Sequence, residues 1–154
     1  MPSGAPRLDK VIRKLRDLGF RITPQRLAIF EVLSRREDHP GAEQIYSEVK
    51  QNFPTTSIAT IYKTLAFLKS IGEVLELEFS GDCNRYDGRI PHPHPHLICI
   101  KCKKIVDPEL ASLASMTEKL ARQSGYRLLS HRLDFYGICP GCLKKESPGE
   151  AESR

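Results

Sequence analysis

Long apolar runs are missing from this sequence of 154 residues. A helix that crosses a membrane needs about 20 consecutive apolar residues, and no segment here approaches that length. The initial Met-Pro-Ser-Gly-Ala-Pro-Arg also lacks the apolar core of a secretion signal. We therefore expect a cytoplasmic protein without a membrane partner. The content of 40% hydrophobic and 28% charged residues is ordinary for a globular protein, which excludes a mainly disordered or collagen-like chain.

Cysteine is also scarce, with five residues, and cytoplasmic cysteines are metal ligands or free thiols more often than disulfides. All five cysteines, and every histidine except His39, follow Ser80. The excess of positive charge is small, a net +5 at pH 7, which permits nucleic-acid binding without demonstrating it. The uneven distribution of cysteine and histidine indicates two domains, with metal chemistry concentrated in the second.

The first half of the sequence has the pattern of a helical domain. Apolar residues recur at helical spacing in four segments, at about 8–18, 24–33, 42–52 and 58–70. Thr23 before Pro24 suits the start of the second helix, and Thr55, Thr56 and Ser57 are cap candidates for the fourth. Gly19 and Gly72 suit helix ends. The pattern predicts three helices followed by a recognition-type helix.

A two-stranded wing is expected after the fourth helix. Residues 74–79 alternate apolar and acidic side chains over most of their length, as a half-buried strand does. Residues 80–82, Ser-Gly-Asp, suit a turn, and residues 84–86 suit the returning strand. The first half therefore predicts a winged helix-turn-helix.

The second half mixes short strands with one helix. We expect a hinge at 88–91, strands at 97–100 and 104–106, a helix at 108–124 and a strand at 126–135. The polar tail at 147–154 is expected to be disordered. The fold class predicted for the whole chain is α+β.

Two Cys-x-x-Cys motifs are the strongest site signal, Cys99 with Cys102 and Cys139 with Cys142. One such motif would leave a redox role or coincidence open, whereas a pair supplies the four thiolates of a structural zinc site. Such a zinc ion would hold the last strand to the middle of the second domain. We interpret the leftover Cys83 as an incidental thiol, with a redox switch as the alternative.

The segment His92-Pro93-His94-Pro95-His96 is a second candidate site. Histidines two residues apart share a face of an extended chain, and imidazole binds iron, manganese, nickel and zinc. The prolines remove backbone donors and predict an edge or an extended loop rather than a central strand. A solvated loop without metal is an equally good interpretation of this segment alone.

Four further residues are candidates with ordinary alternatives. Asp87, Asp107 and His39 have the chemistry of metal ligands, although each also suits a solvated charge, a cap or a turn. His131 shares one face of its predicted strand with apolar residues. We expect it to be a core or interface histidine first and a ligand second.

These motifs together resemble the ferric uptake regulator family of metal-dependent transcription factors. The matching stretches cover nearly the whole chain in order: 19–26 (GFRITPQR), 39–40 (HP), 57–65 (SIATIYKTL), 85–87 (RYD), 94–99 (HPHLIC) with Cys102, and 136–139 (YGIC) with Cys142. The resemblance implies a winged-helix DNA-binding domain at 1–87 and an α/β dimerisation domain with a structural zinc at 88–146. It also implies a homodimeric repressor that binds double-stranded DNA at a palindromic operator.

The resemblance further implies a regulatory metal site at five matching positions: His39, Asp87, His94, His96 and Asp107. Three nitrogens and two carboxylates suit Fe(II) or Mn(II) better than a thiolate site would. Since His39 lies in the DNA-binding half and the other ligands in the hinge and second domain, bound metal would favour one angle between the domains.

Some positions distinguish branches of that family. Asp107 stands where peroxide-sensing members have aspartate and iron-responsive members usually have glutamate. Pro93, Pro95 and Ala114 occupy three of the four positions of an additional family site, so that only His131 of that set remains. Both departures favour a peroxide sensor over an iron-responsive or other metal-responsive repressor.

The resemblance places the recognition helix in the major groove of DNA. The expected base or phosphate contacts are Thr60, Tyr62 and Lys63, and Arg21 and Arg26 are expected to contact the DNA backbone. Each is also compatible with an ordinary surface or core role, and Tyr62 in particular could pack beneath the wing.

Two other functional classes remain open from the sequence. One is a metalloenzyme that uses the His/Asp site, and the other is a zinc-stabilised interaction module without a DNA role. The sequence contains no His-Glu-x-x-His motif and no obvious general base beside an open ligand position. We therefore predict that the protein is not an enzyme.

Overall fold

The structure, a computed structural model, describes residues 4–79, 83–110 and 112–146. The chain divides into two compact units, Met1–His92 and Pro93–Arg154, called the first and second unit below. The predicted turn at 80–82 and the predicted disordered tail at 147–154 lie outside the described residues. The domain limits 1–87 and 88–146 stay a prediction, because compactness does not show which segment folds by itself. No helix in the described ranges is long and apolar enough to cross a bilayer.

The first unit consists of helices followed by a small antiparallel sheet. Its elements are α1 (Gly4–Asp17), α2 (Pro24–Arg35), α3 (Ala42–Asn52), α4 (Ile58–Ser70), β1 (Leu75–Leu77) and β2 (Arg85–Asp87). In the sheet, Glu76 lies opposite Tyr86 and Leu75 opposite Asp87. This order of elements confirms the predicted winged helix-turn-helix.

Side-chain caps set the start of two helices, at the predicted Thr23 and at Ser57, one of three predicted candidates. Thr23 accepts a 3.3 Å hydrogen bond from the N–H of Arg26 at the start of α2. Ser57 accepts a 3.2 Å hydrogen bond from the N–H of Thr60 at the start of α4. Such caps satisfy N–H groups that have no partner within the helix. The position of the recognition helix α4 is therefore fixed partly by local chemistry.

The apolar faces of the helices meet in one core. Ile29 and Leu33 of α2, Ile45 of α3 and Ile61 of α4 are all 0% exposed. Burying a side chain of this size fully stabilises a fold by about 1.5–3 kcal/mol. The opposite face of α4 stays in solvent, where it is available to a partner.

The wing is attached to α4 through Glu76. Its carboxylate accepts hydrogen bonds from Lys69 at the end of α4, from Asn84 at 3.1 Å and from the Tyr86 hydroxyl at 3.0 Å. Burial alone would raise the pKa of Glu76, but these three donors outweigh burial and lower it. Burial, followed by the same carboxylate, raises the pKa of Tyr86. Glu76 is thus ionised at neutral pH and holds the wing against the recognition helix.

The second unit combines a three-stranded sheet with two helices. Its elements are β3 (His96–Cys99), β4 (Ile105–Val106), α5 (Leu113–Ser124), β5 (Asp134–Gly137) and α6 (Pro140–Leu143). The central strand β3 runs antiparallel to β4 and parallel to β5. Helices and sheets in both units confirm the α+β class.

Three predictions for the second unit are corrected by the structure. The strand predicted at 126–135 begins only at Asp134, where the chain first pairs with β3. Helix α5 begins at Leu113, and residues 108–110 have no regular structure. His96 begins the central strand rather than an edge or loop, because its N–H donates to the carbonyl oxygen of Leu133 at 3.0 Å. The prolines before His96 lie outside the sheet.

One face of this sheet carries an exposed apolar row. Leu97 lies opposite Val106 on one side and Phe135 on the other. These three side chains are 46%, 45% and 43% exposed, respectively. Residues directly opposite one another project to the same face of a sheet. An exposed apolar patch of this kind is typical of a protein–protein interface.

Candidate metal centres and DNA-binding helix

Four thiols converge in the second unit. The Sγ atoms of Cys99 and Cys142 lie 3.9 Å apart, and those of Cys102 and Cys139 lie 3.7 Å apart. A tetrahedral zinc ion with Zn–S bonds of about 2.3 Å requires sulfur atoms about 3.8 Å apart, whereas a disulfide bond is only about 2.05 Å long. The cluster therefore has the dimensions of a zinc site.

The sheet and two local turns build this cluster. Cys99 is the last residue of β3, and it lies opposite Gly137 in β5, shortly before Cys139. A tight turn follows Cys99, in which the N–H of Lys103 donates to the Cys99 carbonyl oxygen at 2.9 Å. Cys139 caps α6, and that helix contains Cys142. Each turn thus positions one pair of thiols, and strand pairing joins the pairs.

Within this cluster, the pKa of one thiol is lowered and that of another is raised. Backbone N–H groups, first that of Cys102 and then that of Cys139, lower the pKa of Cys99 to about 6. Hydrogen bonding to the Cys139 sulfur raises the pKa of Cys142 to about 12. Thiols this close together cannot all ionise unaided, and a divalent cation removes that conflict.

In the first unit, His39 and Asp87 face each other. His39 Nε2 lies 3.2 Å from Asp87 Oδ2, and the two side chains are only 2% and 3% exposed. Asp87 Oδ1 accepts hydrogen bonds from the N–H groups of Arg89 at 2.8 Å and Ile90 at 2.9 Å. This turn directs the second oxygen of Asp87 to the imidazole. A buried imidazole and carboxylate are therefore in place to bind one side of a metal ion.

In the second unit, His94 and His96 approach Asp107. Their Nε2 atoms lie 3.3 Å and 3.7 Å from Asp107 Oδ1. The pairing of β3 with β4 brings His96 near Asp107, which directly follows β4. The other ring nitrogen of His96, Nδ1, lies 3.3 Å from Oδ1 of Asp134 in β5.

The donor chemistry of both groups fits Fe(II) or Mn(II). Imidazole nitrogen and carboxylate oxygen are the ligands that such ions accept, and neither group contains a thiol. Two imidazole nitrogens approach the same oxygen of Asp107, an arrangement that protonated rings or a bound cation would stabilise. Each unit thus carries part of the predicted ligand set, His39 and Asp87 in the first and the other three in the second.

Three other candidate residues are outside these groups. His92, His131 and Cys83 are exposed, and none belongs to either metal-type cluster of the described residues. His131 is not a core residue, because the strand that would bury it begins only at Asp134, and its position at an interface stays a prediction. Asp134 itself was not predicted for any site, since only the register of β5 against β3 reveals it.

The exposed face of α4 carries predicted DNA-binding residues. Tyr62 is 50% exposed and Lys63 is exposed, whereas Thr60 is half-buried with its hydroxyl 3.0 Å from that of Ser57. Tyr62 is therefore not a core residue. The N-terminal end of a helix carries partial positive charge, which favours phosphate nearby.

Arg21 and Arg26 lie beside this helix. Arg26 Nη1 donates a 2.6 Å hydrogen bond to the Arg21 carbonyl oxygen, and its guanidinium lies 5.6 Å from the centre of the Phe20 ring. Phe20 in turn stacks on Phe67 of α4, with ring centres 3.4 Å apart. Arg26 is thus linked to α4 through the Phe20 ring, and it also binds the backbone of Arg21.

Comparisons with known proteins agree on one family. The profile described as "Ferric uptake regulator family" matches residues 17–136. The peroxide operon regulator of Bacillus subtilis (strain 168) is 38% identical over 143 residues, which cover 93% of this chain and 98% of that protein.

Solved structures of this family are similar to most of the chain. The ferric uptake regulator of Helicobacter pylori, described as having three functional metal binding sites, is 25% identical with a TM-score of 0.78, over 95% of this chain and 96% of that one. PerR from Streptococcus pyogenes, described for peroxide sensing and gene regulation, is 34% identical with a TM-score of 0.52, over 88% of this chain and 92% of that one.

Proposed function

Because the chain belongs to the ferric uptake regulator family, we propose that it is a metal-dependent repressor of transcription that senses peroxide. One observation carries this proposal: the chain has two chemically distinct metal-type clusters, one of four thiols and one of buried imidazoles and carboxylates. The thiol cluster suits a permanent zinc ion, and the imidazole and carboxylate groups suit a reactive one. The similarity to peroxide regulators supports the same branch of the family.

The proposed regulatory ligands are divided between the units, with His39 and Asp87 in the first and His94, His96 and Asp107 in the second. One Fe(II) or Mn(II) ion bound by all five would favour the arrangement of units in which every ligand reaches it. That arrangement would be the one that binds DNA. Removal of metal, or damage to a ligand, would then release DNA without any change in the DNA-binding helix.

Peroxide sensing would depend on two of these ligands. Bound Fe(II) would supply the electron transfer that activates hydrogen peroxide. His39 and His94 are the proposed targets, and in each case one imidazole C–H bond is replaced by C–O while the second peroxide oxygen leaves as water. An oxidised imidazole is a poorer ligand, so the metal would no longer favour the arrangement of units that binds DNA.

The second unit would supply the zinc site and a dimer interface. Cys99, Cys102, Cys139 and Cys142 are the proposed zinc ligands. The exposed row of Val106, Leu97 and Phe135 is the proposed contact between two copies of the chain. A homodimer with two recognition helices is suited to an operator with two-fold symmetry.

DNA contact is assigned to α4 and the arginines beside it. Tyr62, Lys63 and Thr60 would contact bases or phosphates, and Arg21 and Arg26 would contact the backbone. A repressor of this kind would work where chromosomal DNA is, and we therefore propose that it is cytoplasmic.

The decisive experiment is selection of duplexes from a randomised library by the zinc-containing protein loaded with Mn(II), Fe(II) or additional Zn(II). The selected duplex is then tested for binding with and without hydrogen peroxide. We expect metal-dependent binding to a palindrome, and release by peroxide from the Fe(II) form alone.

Each other outcome selects an alternative. Binding with Fe(II) that resists peroxide would indicate an iron-responsive repressor. If the metal-loaded protein selects no duplex, the DNA-binding function is overturned, and an enzyme or an interaction module is favoured.

A further inference from the structure

The two ring nitrogens of His96 face different carboxylates. Nε2 lies 3.7 Å from Asp107 Oδ1, whereas Nδ1 lies 3.3 Å from Asp134 Oδ1. His96 is 2% exposed and Asp134 is 9% exposed, so both groups are shielded from water. We infer that Asp134 is a positioning residue, which holds the proton of His96 on Nδ1 and thereby keeps the lone pair of Nε2 for the regulatory metal.

The position of Asp134 follows from strand pairing. His96 lies directly opposite Asp134 in the parallel pairing of β3 with β5, and the His96 N–H donates to the neighbouring Leu133 carbonyl oxygen at 3.0 Å. Residues opposite each other in a sheet project to the same face, where their side chains meet. The carboxylate is therefore held beside His96 by backbone hydrogen bonds rather than by a flexible loop.

The chemistry of imidazole explains the effect. A neutral imidazole has one N–H, and its other nitrogen carries the lone pair that binds metal. An ionised carboxylate only accepts hydrogen bonds, so its position beside Nδ1 favours the proton at Nδ1. The lone pair of Nε2 is then directed to the side of Asp107, where the candidate metal position lies. Without Asp134, the proton is no longer held on Nδ1, and Asp107, 3.7 Å from Nε2, favours the Nε2–H form, which cannot bind metal there.

The second oxygen of Asp134 has its own partner. Arg132 Nε donates to Asp134 Oδ2 at 2.6 Å, and the arginine side chain is 43% exposed. The oxygens of Asp134 are thus divided between a surface cation and a buried imidazole. This arrangement fixes the orientation of the carboxylate, with one oxygen towards His96 and the other towards Arg132.

This inference rests on the proposed function for its metal, but it can be tested separately. Asp134→Leu removes the acceptor at similar size, Asp134→Asn removes the charge but keeps one acceptor oxygen, and Arg132→Gln removes the surface partner only. The first measurement is the tautomer of His96 in the zinc-containing protein without Mn(II), read from long-range ¹H–¹⁵N spectra over a series of pH values, which distinguishes both neutral tautomers from the doubly protonated ring. A His96→Gln variant identifies the signal.

The second measurement is the Kd for Mn(II), with zinc content and thermal stability as checks of folding. We expect the wild type to hold the Nδ1–H form and Asp134→Leu to contain both forms. The Kd for Mn(II) should rise by about 10- to 100-fold in Asp134→Leu, as for other residues that orient a metal-binding histidine. Asp134→Asn should lie between that variant and the wild type, and Arg132→Gln should stay close to the wild type.

The inference is overturned if Asp134→Leu, with zinc and stability retained, keeps the Nδ1–H form or binds Mn(II) as tightly as the wild type. It is also overturned if Arg132→Gln has the full effect. If the wild type binds no Mn(II) at all, the proposed function fails, and the tautomer measurement still decides whether Asp134 controls His96.

Discussion

The Arg85 side chain donates hydrogen bonds to the backbone of His39 and of the residue before it. Its Nε donates to the carbonyl oxygen of His39, and its Nη2 donates to that of Asp38 at 2.7 Å. His39 has φ of 53°, in the left-handed region that is costly for residues other than glycine. The neighbouring Tyr86 N–H holds the same turn through the Pro40 carbonyl oxygen at 3.0 Å. Strand β2 therefore positions one proposed ligand, His39, and its last residue, Asp87, is another.

We predict that Arg85→Lys weakens regulatory metal binding without affecting zinc. Lysine keeps the charge but cannot donate to two carbonyl oxygens in the geometry of a guanidinium. The Kd for Mn(II) should rise by about tenfold, as for other residues that support a ligand, and the free energy of unfolding should fall by about 1–2 kcal/mol.

The matched control for Arg85 is Arg89→Lys. Arg89 pairs at 2.7 Å with Glu37, whose side chain is 77% exposed, and such surface pairs contribute little. Titration with Mn(II) and thermal unfolding measure both effects. An Arg85→Lys protein with the Kd of the wild type would show that the His39 turn needs no support from β2.

The elements of the first unit could be predicted from the sequence, and some contacts around the sites could not. Helical periodicity and helix caps are local signals, so α2 begins after the predicted cap Thr23, and α4 begins after Ser57, the last of three predicted candidates. The roles of Arg85 and Asp134 depend on strand register, which brings distant residues together without a local pattern. The segment 126–133 shows the same limit, because a strand forms only where a partner strand is available.

We predict that Cys102→Ser loses the zinc ion and with it the dimer. A hydroxyl is a poor zinc ligand, and the metal joins the two knuckles that carry the end of the sheet. Zinc content after mild chelation and mass in solution measure the two effects. Cys83→Ser is the matched control, since Cys83 is exposed and outside the cluster. If Cys102→Ser remains a dimer with one zinc ion per chain, the assignment of Cys102 as a zinc ligand is wrong.

We predict that Lys63→Ala weakens operator binding while the Kd for Mn(II) stays unchanged. Lys63 lies on the exposed face of α4, and loss of one phosphate contact should reduce the slope of log K against log salt by about one. Lys69→Ala, on the same helix, should leave that slope unchanged because Glu76 already pairs with Lys69. Equal slopes for Lys63→Ala and the wild type would exclude a phosphate contact by Lys63.

We predict that Gly88→Ala destabilises the first unit by about 1–3 kcal/mol. A Cβ at Gly88 would lie 2.6 Å from Leu33 Cβ, closer than real Cβ atoms approach, and 3.0 Å from the Leu33 carbonyl carbon, which is also unusually tight. The backbone there is also held by Arg7, whose Nε donates to the Gly88 carbonyl oxygen at 2.6 Å. Gly137→Ala is the control, because a Cβ there meets nothing within 4 Å. Chemical denaturation compares the two, and equal stability of both variants would contradict the predicted clash.

We predict that peroxide adds oxygen to the peptides of His39 and His94 in the Fe(II) form and not in the Mn(II) form. Fe(II) transfers an electron to hydrogen peroxide much more readily than Mn(II) does, and the oxidant attacks the groups nearest to the metal. DNA release should follow the fraction of modified histidine, since each oxidised ring removes a ligand from the proposed site. Peptide mass spectrometry and DNA binding are measured on the same samples, taken over a series of peroxide doses.

A Cys83→Ser variant is the matched control for this last prediction, because Cys83 is an exposed thiol outside the zinc cluster. If histidine oxidation is the switch, Cys83→Ser should release DNA at the same peroxide dose as the wild type, and the Mn(II) form of either protein should stay bound. If DNA is released while both histidine peptides are unmodified, and the release disappears in Cys83→Ser, the sensor is the thiol and the imidazole mechanism is wrong.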